Sequence, residues 1–173
     1  TGVQTCALPI SVRDGQGNPV RSSAAIADAG PAAAANKNVD NPMPADWLTR
    51  PDVPNPSAGI GPLSQYQIKC VMAQLAYSES RFDYSKREST NKNYLGRYQL
   101  GAPAFVDTGY LRAEYYTQYK AAAVTYPAAW TGQDNITSDE TYLGNTAIQE
   151  KAAYSLMSKN YTALTARQNG QRA

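Results

Sequence analysis

Apolar positions recur at helical spacing only from about residue 62 onward. Ile68, Val71, Met72, Leu75 and Ala76 follow one another at intervals of three and four, the period of one helix face. Ser64 precedes the run and Gln67 stands three residues after it, a capping-box arrangement in which each side chain answers an otherwise unpaired backbone N–H. The pattern predicts a helix over Gln65 to Ser80. Glu79 lies four positions after Leu75 and seven after Met72, so the spacing puts it on the apolar face. A carboxylate there is costly unless it is neutral or partnered.

Residues 81–101 lose the period and read as a long polar loop carrying Asn91, Asn93 and Gly96. Pro103 marks a helix start, and Leu111 to Ala123 predicts a tyrosine-rich helix that Tyr126-Pro127 breaks. Trp130-Thr131-Gly132 reads as a turn plugged by an aromatic ring. Asn145 to Arg167 is the longest predicted helix, with Ile148, Ala152, Leu156 and Leu164 as core candidates. Asp134, Asp139 and Glu140 are too loosely spaced for a calcium loop and read as a solvated turn. The expected fold class is all-α.

Composition adds a boundary. Nine of the eleven prolines lie in residues 1–62, and all thirteen tyrosines lie from Tyr66 onward. Residues 11–61 therefore read as an extended Pro/Ala-rich arm, poor in apolar residues to bury, with Trp47-Leu48 as an anchor. Residues 62–173 read as the globular domain, and the 173-residue chain is long enough for one core. Thr1 to Ile10 resembles translated sequencing-adapter read-through and is expected to be an artefact. It lacks the charged region and apolar core of an export signal.

The net charge is +2, with lysine and arginine scattered rather than massed, so no nucleic-acid partner is expected. No histidine is present, which excludes Ser/His/Asp and Cys/His catalysis and removes the commonest zinc ligand. Neither a metal nor another cofactor is expected. Of the two cysteines, Cys6 falls in the leader and Cys70 in the first helix, so a structural disulfide is not expected and Cys70 reads as a small buried apolar side chain. No apolar run approaches the roughly 20 residues of a membrane span. A monomer is expected.

Acid–base chemistry in such a chain falls to carboxylates, tyrosine and lysine. Glu79-Ser80 closes the first helix, and Tyr94-Leu95-Gly96-Arg97-Tyr98-Gln99-Leu100-Gly101 follows. Amide groups beside aromatic rings suit a saccharide, and burial favours the neutral carboxyl that a glycosidase acid needs. Together with Phe82, the Asn-rich stretch, Ala102-Pro103-Ala104-Phe105 and Asp107-Thr108-Gly109-Tyr110, these motifs resemble the soluble lytic transglycosylase and goose-type lysozyme group. They are most similar to its phage-tail and secretion-associated members, across about residues 62–165.

The resemblance implies a lysozyme-like helical domain that cleaves the MurNAc-GlcNAc β-1,4 bond of peptidoglycan. It implies Glu79 as catalytic acid, and Ser80, Tyr94, Gly96, Tyr98 and Gln99 on the substrate side. Arg97 departs from the lysine common at its position, and the family's later Asn-x-Gly motif is not clear in this chain. Tyr154 and Tyr161 are the available tyrosine partners for Glu79, and Asp83 and Glu88 the candidate second carboxylates. Location at the cell wall follows, secreted, periplasmic or on a phage particle. One alternative is a family-19-like chitinase using Glu79 and Glu88, against which Ser78 stands where histidine would precede the acid. The other is a non-catalytic saccharide-binding structural domain.

Overall fold

Helix α1 runs Gln65–Ser80, and its start is set by the capping box: the Ser64 hydroxyl accepts from the Gln67 N–H and the Gln67 side chain accepts from the Ser64 N–H. This computed structural model describes residues 46–47, 49–88, 94–121 and 127–170, without the side chains of residues 121 and 169. They belong to one unit, Asp46–Ala173. Further helices follow: α2 (Ala102–Asp107), α3 (Tyr116–Ala121), α4 (Asp139–Leu143) and α5 (Thr146–Gly170), with 3₁₀ turns at Ala113–Tyr115, Pro127–Ala129 and Gln133–Asn135. Among the described residues the β pairing consists of isolated bridges, so the described part of the chain is all-α. No described helix is long and apolar enough to cross a membrane.

The buried row of α1 is Ile68, Met72, Ala76 and Ser80, flanked by Ala73 and Tyr77. Leu75 is 42% exposed and Glu79, one turn later, is exposed too. The expected burial of Glu79 is thereby corrected: Leu75 belongs to a surface row, and the carboxylate follows it. Cys70 corrects a second expectation, since it stands in a disulfide. Its expected burial holds, at 3% exposure. The chain's other cysteine, Cys6, lies outside the described residues, as do the rest of residues 1–45, Leu48, Asn91 and Asn93.

The core is aromatic. Phe105, Trp130 and Tyr142 pack with ring centroids 4.8 to 6.1 Å apart, and Tyr119 meets Trp130 edge-on at 6.0 Å. Asp139 is buried inside this cluster and accepts from the Tyr119 hydroxyl and the Trp130 indole, both at 3.2 Å, and from Arg87 at 2.6 Å. The solvated-turn reading fails for Asp139: it sits in the first turn of α4, whose packing on the core turns the carboxylate inward. Asp134 is likewise engaged, with Lys151 and the Tyr110 hydroxyl.

One segment and one core candidate also depart from expectation. Residues expected to belong to the arm pack on the domain, for Val53 and Ile60 are buried and the Gln65 amide donates to the Pro56 carbonyl at 2.6 Å. Two apolar side chains and a string of prolines that need no regular partner suffice to hold such a segment. On α5, Ala152 is buried as expected whereas Leu164 is 59% exposed. The last turns of that helix run past the core that covers its beginning.

Candidate active site

The end of α1 and the segment that follows are locked together by a sharply strained backbone. Arg81 and Phe82 both adopt positive φ, 59° and 70°, directly after Glu79-Ser80. Left-handed backbone in residues with a Cβ costs on the order of 1–3 kcal/mol each and persists where the surroundings over-determine it. Here Phe82 is held by the Arg50 and Arg97 guanidinium groups, 5.1 and 4.9 Å from its ring centre. The chain then doubles back. The Gly96 N–H donates to the Lys86 carbonyl at 2.7 Å and the Glu88 N–H to the Tyr94 carbonyl at 3.2 Å, while Leu95 and Leu100 exchange backbone bonds at 3.0 and 3.1 Å. Gly96, Arg97, Tyr98 and Gln99 form the tip between them.

This doubling back makes a cleft of about 370 Å³ lined by Glu79, Glu88, Tyr94, Tyr98 and Gln99. Gln99 is the strained residue of the tip, at φ 45°. Its amide nitrogen donates to the Gly96 carbonyl at 2.7 Å and the Lys86 carbonyl at 3.2 Å. Its Oε1 is buried without a hydrogen-bond partner, an arrangement that costs about 1–3 kcal/mol. Lys86 also bonds the Glu79 carbonyl through its ammonium group. Tyr94 is 43% exposed and offers open ring surface.

Of the residues singled out by sequence, Glu79, Glu88, Tyr94, Tyr98 and Gln99 thus meet in one place. Ser80 does not line it. Its buried hydroxyl donates toward the Arg97 carbonyl at 2.7 Å and the Ala76 carbonyl at 3.0 Å. Gly96 is buried as well, at φ +74° with Gln149 packed so closely that a Cβ would stand 2.1 Å from its Oε1. Asp83 is exposed and caps a turn, accepting from the Ser85 N–H and hydroxyl at 2.8 and 2.7 Å. Tyr154 donates to the Gly59 carbonyl at 3.2 Å, and the Tyr161 ring lies against Gly61. Both expected Glu79 partners are corrected in this way, because the packed segment before α1 occupies the face of α5 that carries them.

Beneath the cleft lies a polar layer that the sequence reading passed over. Gln149 is fully buried. It accepts from the Arg97 N–H at 2.8 Å and donates to the carbonyls of Tyr84, Leu143 and Tyr142 at 3.0 to 3.2 Å. Next to it, Glu150 accepts from the Tyr84 hydroxyl at 2.8 Å and the Tyr98 hydroxyl at 2.5 Å. Arg97, with no exposure, lies 3.3 Å from Glu150 and 3.9 Å from Asp52. Its guanidinium sits 4.6 Å from the Tyr84 ring centre. Burial raises the Glu150 carboxyl above the ordinary glutamate value, against the pull of the two phenols and Arg97. The same burial, with Glu150 alongside, raises both Tyr98 and Tyr84. The Gln-Glu pair between the apolar positions Ile148 and Ala152 carries no local mark of its burial.

Among the described residues no group of three or more His, Cys, Asp or Glu side chains could hold a metal ion. The chain matches no family model, no curated protein and no solved structure.

Proposed function

We propose that this chain is a peptidoglycan-degrading glycosidase of lysozyme-like fold, acting at the cell wall on the β-1,4 bond between N-acetylmuramic acid and N-acetylglucosamine. The observation that carries the reading is the meeting of Glu79 and Gln99 in one cleft, across an αL backbone and with the Gln99 Oε1 unpartnered. A saccharide offers hydroxyl and acetamido N–H donors to the carboxylates of the cleft and a ring face to Tyr94.

In the chemistry we favour, Glu79 gives its proton to the leaving glycosidic oxygen as the C1–O bond breaks. It then takes the proton of the muramyl 6-hydroxyl as that oxygen bonds to C1, leaving an anhydro sugar and consuming no water. Glu79 is solvent-exposed in the free protein, so the docked saccharide itself excludes water from the carboxyl. A second reading has a specific support: Glu88 lines the same cleft, and a second carboxylate could activate water for hydrolysis, as in the chitinase-like alternative.

Digestion of purified peptidoglycan and of chitin oligomers, followed by mass spectrometry, tests these readings. Muropeptides lighter by one water support the transglycosylase chemistry, hydrated ends support hydrolysis, and cleavage of chitin alone supports the chitinase-like reading. A folded parent protein as inactive as Glu79→Gln on both polymers would leave only saccharide binding.

A further inference from the structure

We propose that Glu150 is a positioning residue of the cleft: its carboxylate holds the Tyr98 phenol so that the ring is presented to a saccharide beside Glu79. The inference rests on the cleft being a saccharide site. Tyr98 lines that cleft, yet its hydroxyl is committed at 2.5 Å to Glu150. Tyr98 is 7% exposed, so the little that it offers a ligand is ring surface rather than a hydrogen bond. Neutralising buried Arg97 would need only one carboxylate oxygen, and Arg97 approaches Oε1. The second oxygen, Oε2, serves Tyr98 alone among the bonds formed by described residues.

The placement of Glu150 suits this role. Gln149, one residue earlier on α5, fixes the Arg97 N–H at 2.8 Å, so adjacent side chains of one helix grip the backbone and the ring of the same tip. Retaining a carboxylate in this setting carries a desolvation cost. An apolar side chain opposite phenylalanine would fill the space without that cost. The charge-assisted bond to the phenol is short and directional, and it restrains a ring on a turn whose next residue is already strained.

The test uses Glu150→Gln, Tyr98→Phe and the double variant in the full chain. Turnover is measured on a soluble GlcNAc-MurNAc tetrasaccharide, with thermal midpoints and NMR signals of selectively labelled tyrosine rings. If Glu150 acts through Tyr98, both single variants raise KM about tenfold with kcat within about twofold, and the double is no worse than the poorer single. The Tyr98 ring signals then broaden or shift in Glu150→Gln while those of Tyr94 stay. A lowered thermal midpoint with unchanged KM in Glu150→Gln, or penalties that multiply in the double variant, would overturn the proposal. Should Glu150→Gln fail to fold, Tyr98→Phe decides alone: a raised KM supports the role and an unchanged one overturns it. If the parent protein turns over no tetrasaccharide, the proposed activity fails. The ring signals still decide the positioning, since an unmoved Tyr98 in Glu150→Gln rejects it and a mobile one sustains it.

Discussion

The Ser80 hydroxyl donates to the Arg97 carbonyl at 2.7 Å, tying the residue after Glu79 to the residue two before Gln99. The bond joins the two walls of the cleft beside Lys86, which bonds the Glu79 carbonyl and accepts from the Gln99 amide. Ser80→Ala leaves a buried carbonyl without this donor, which costs about 1–3 kcal/mol. We expect a lower thermal midpoint and, because the walls are no longer pinned, a loss of turnover larger than the loss of folded protein. Equal losses in both measurements would show that Ser80 serves stability alone.

Glu79 and Glu88 share the cleft and are expected to answer substitution differently. Glu79→Gln removes the only proton donor of the favoured chemistry, so activity on peptidoglycan drops by about 100-fold or more. At an exposed position the stability changes by no more than about 0.5 kcal/mol. Glu88→Gln keeps turnover within about tenfold and continues to yield the anhydro product. Abolition of activity by Glu88→Gln would instead establish two-carboxylate hydrolysis.

Gly96 meets two constraints at once, a positive φ and the Gln149 side chain against it. Gly96→Ala is predicted to cost at least about 2 kcal/mol, through backbone strain and overpacking together. Chemical denaturation of the variant measures this. A cost within about 0.5 kcal/mol would mean that the tip relaxes without Gln149 holding it.

Stability should depend on pH through groups shifted in opposite directions. Burial raises Glu150 above its ordinary value of 4.5. Its contribution is complete below that unfolded value and declines as pH rises through the folded one. Asp52 is lowered, chiefly by its bond to Arg50, and Asp134 by Lys151 and then Tyr110. Their contributions are present above the ordinary value of 3.8 and are lost as pH falls through the folded values. Denaturation midpoints from about pH 4 to 8 should therefore decline less steeply with rising pH in Glu150→Gln than in the parent. Parallel profiles would remove Glu150 as the cause.

The first helix was legible residue by residue because a capping box and an apolar period agree on its start and extent. The meeting of Glu79 with Tyr98 and Gln99 was foreseen from their motifs, but the exposure of Glu79 was not, since Leu75 counts as apolar wherever it points. Long-range polar pairing was illegible for a related reason. Nothing in the local pattern distinguishes Gln149, Glu150 and Asp139, buried or nearly so, from surface residues. Their partners lie 52 residues away for Arg97–Gln149, Tyr98–Glu150 and Arg87–Asp139 alike. The αL residues Arg81, Phe82 and Gln99 escaped notice because glycine is what a left-handed position ordinarily advertises.

Asp52 lies 3.9 Å from Arg97 under the cleft and bonds Arg50 at 2.8 and 2.9 Å, and Arg50 rests on Phe82. The proline-rich stretch before α1 is therefore part of the site's foundation rather than a tether. Anyone moving this cleft into another protein would have to carry the chain from Asp46. A graft begun at Pro62 would leave a wholly buried arginine with half its counter-charge.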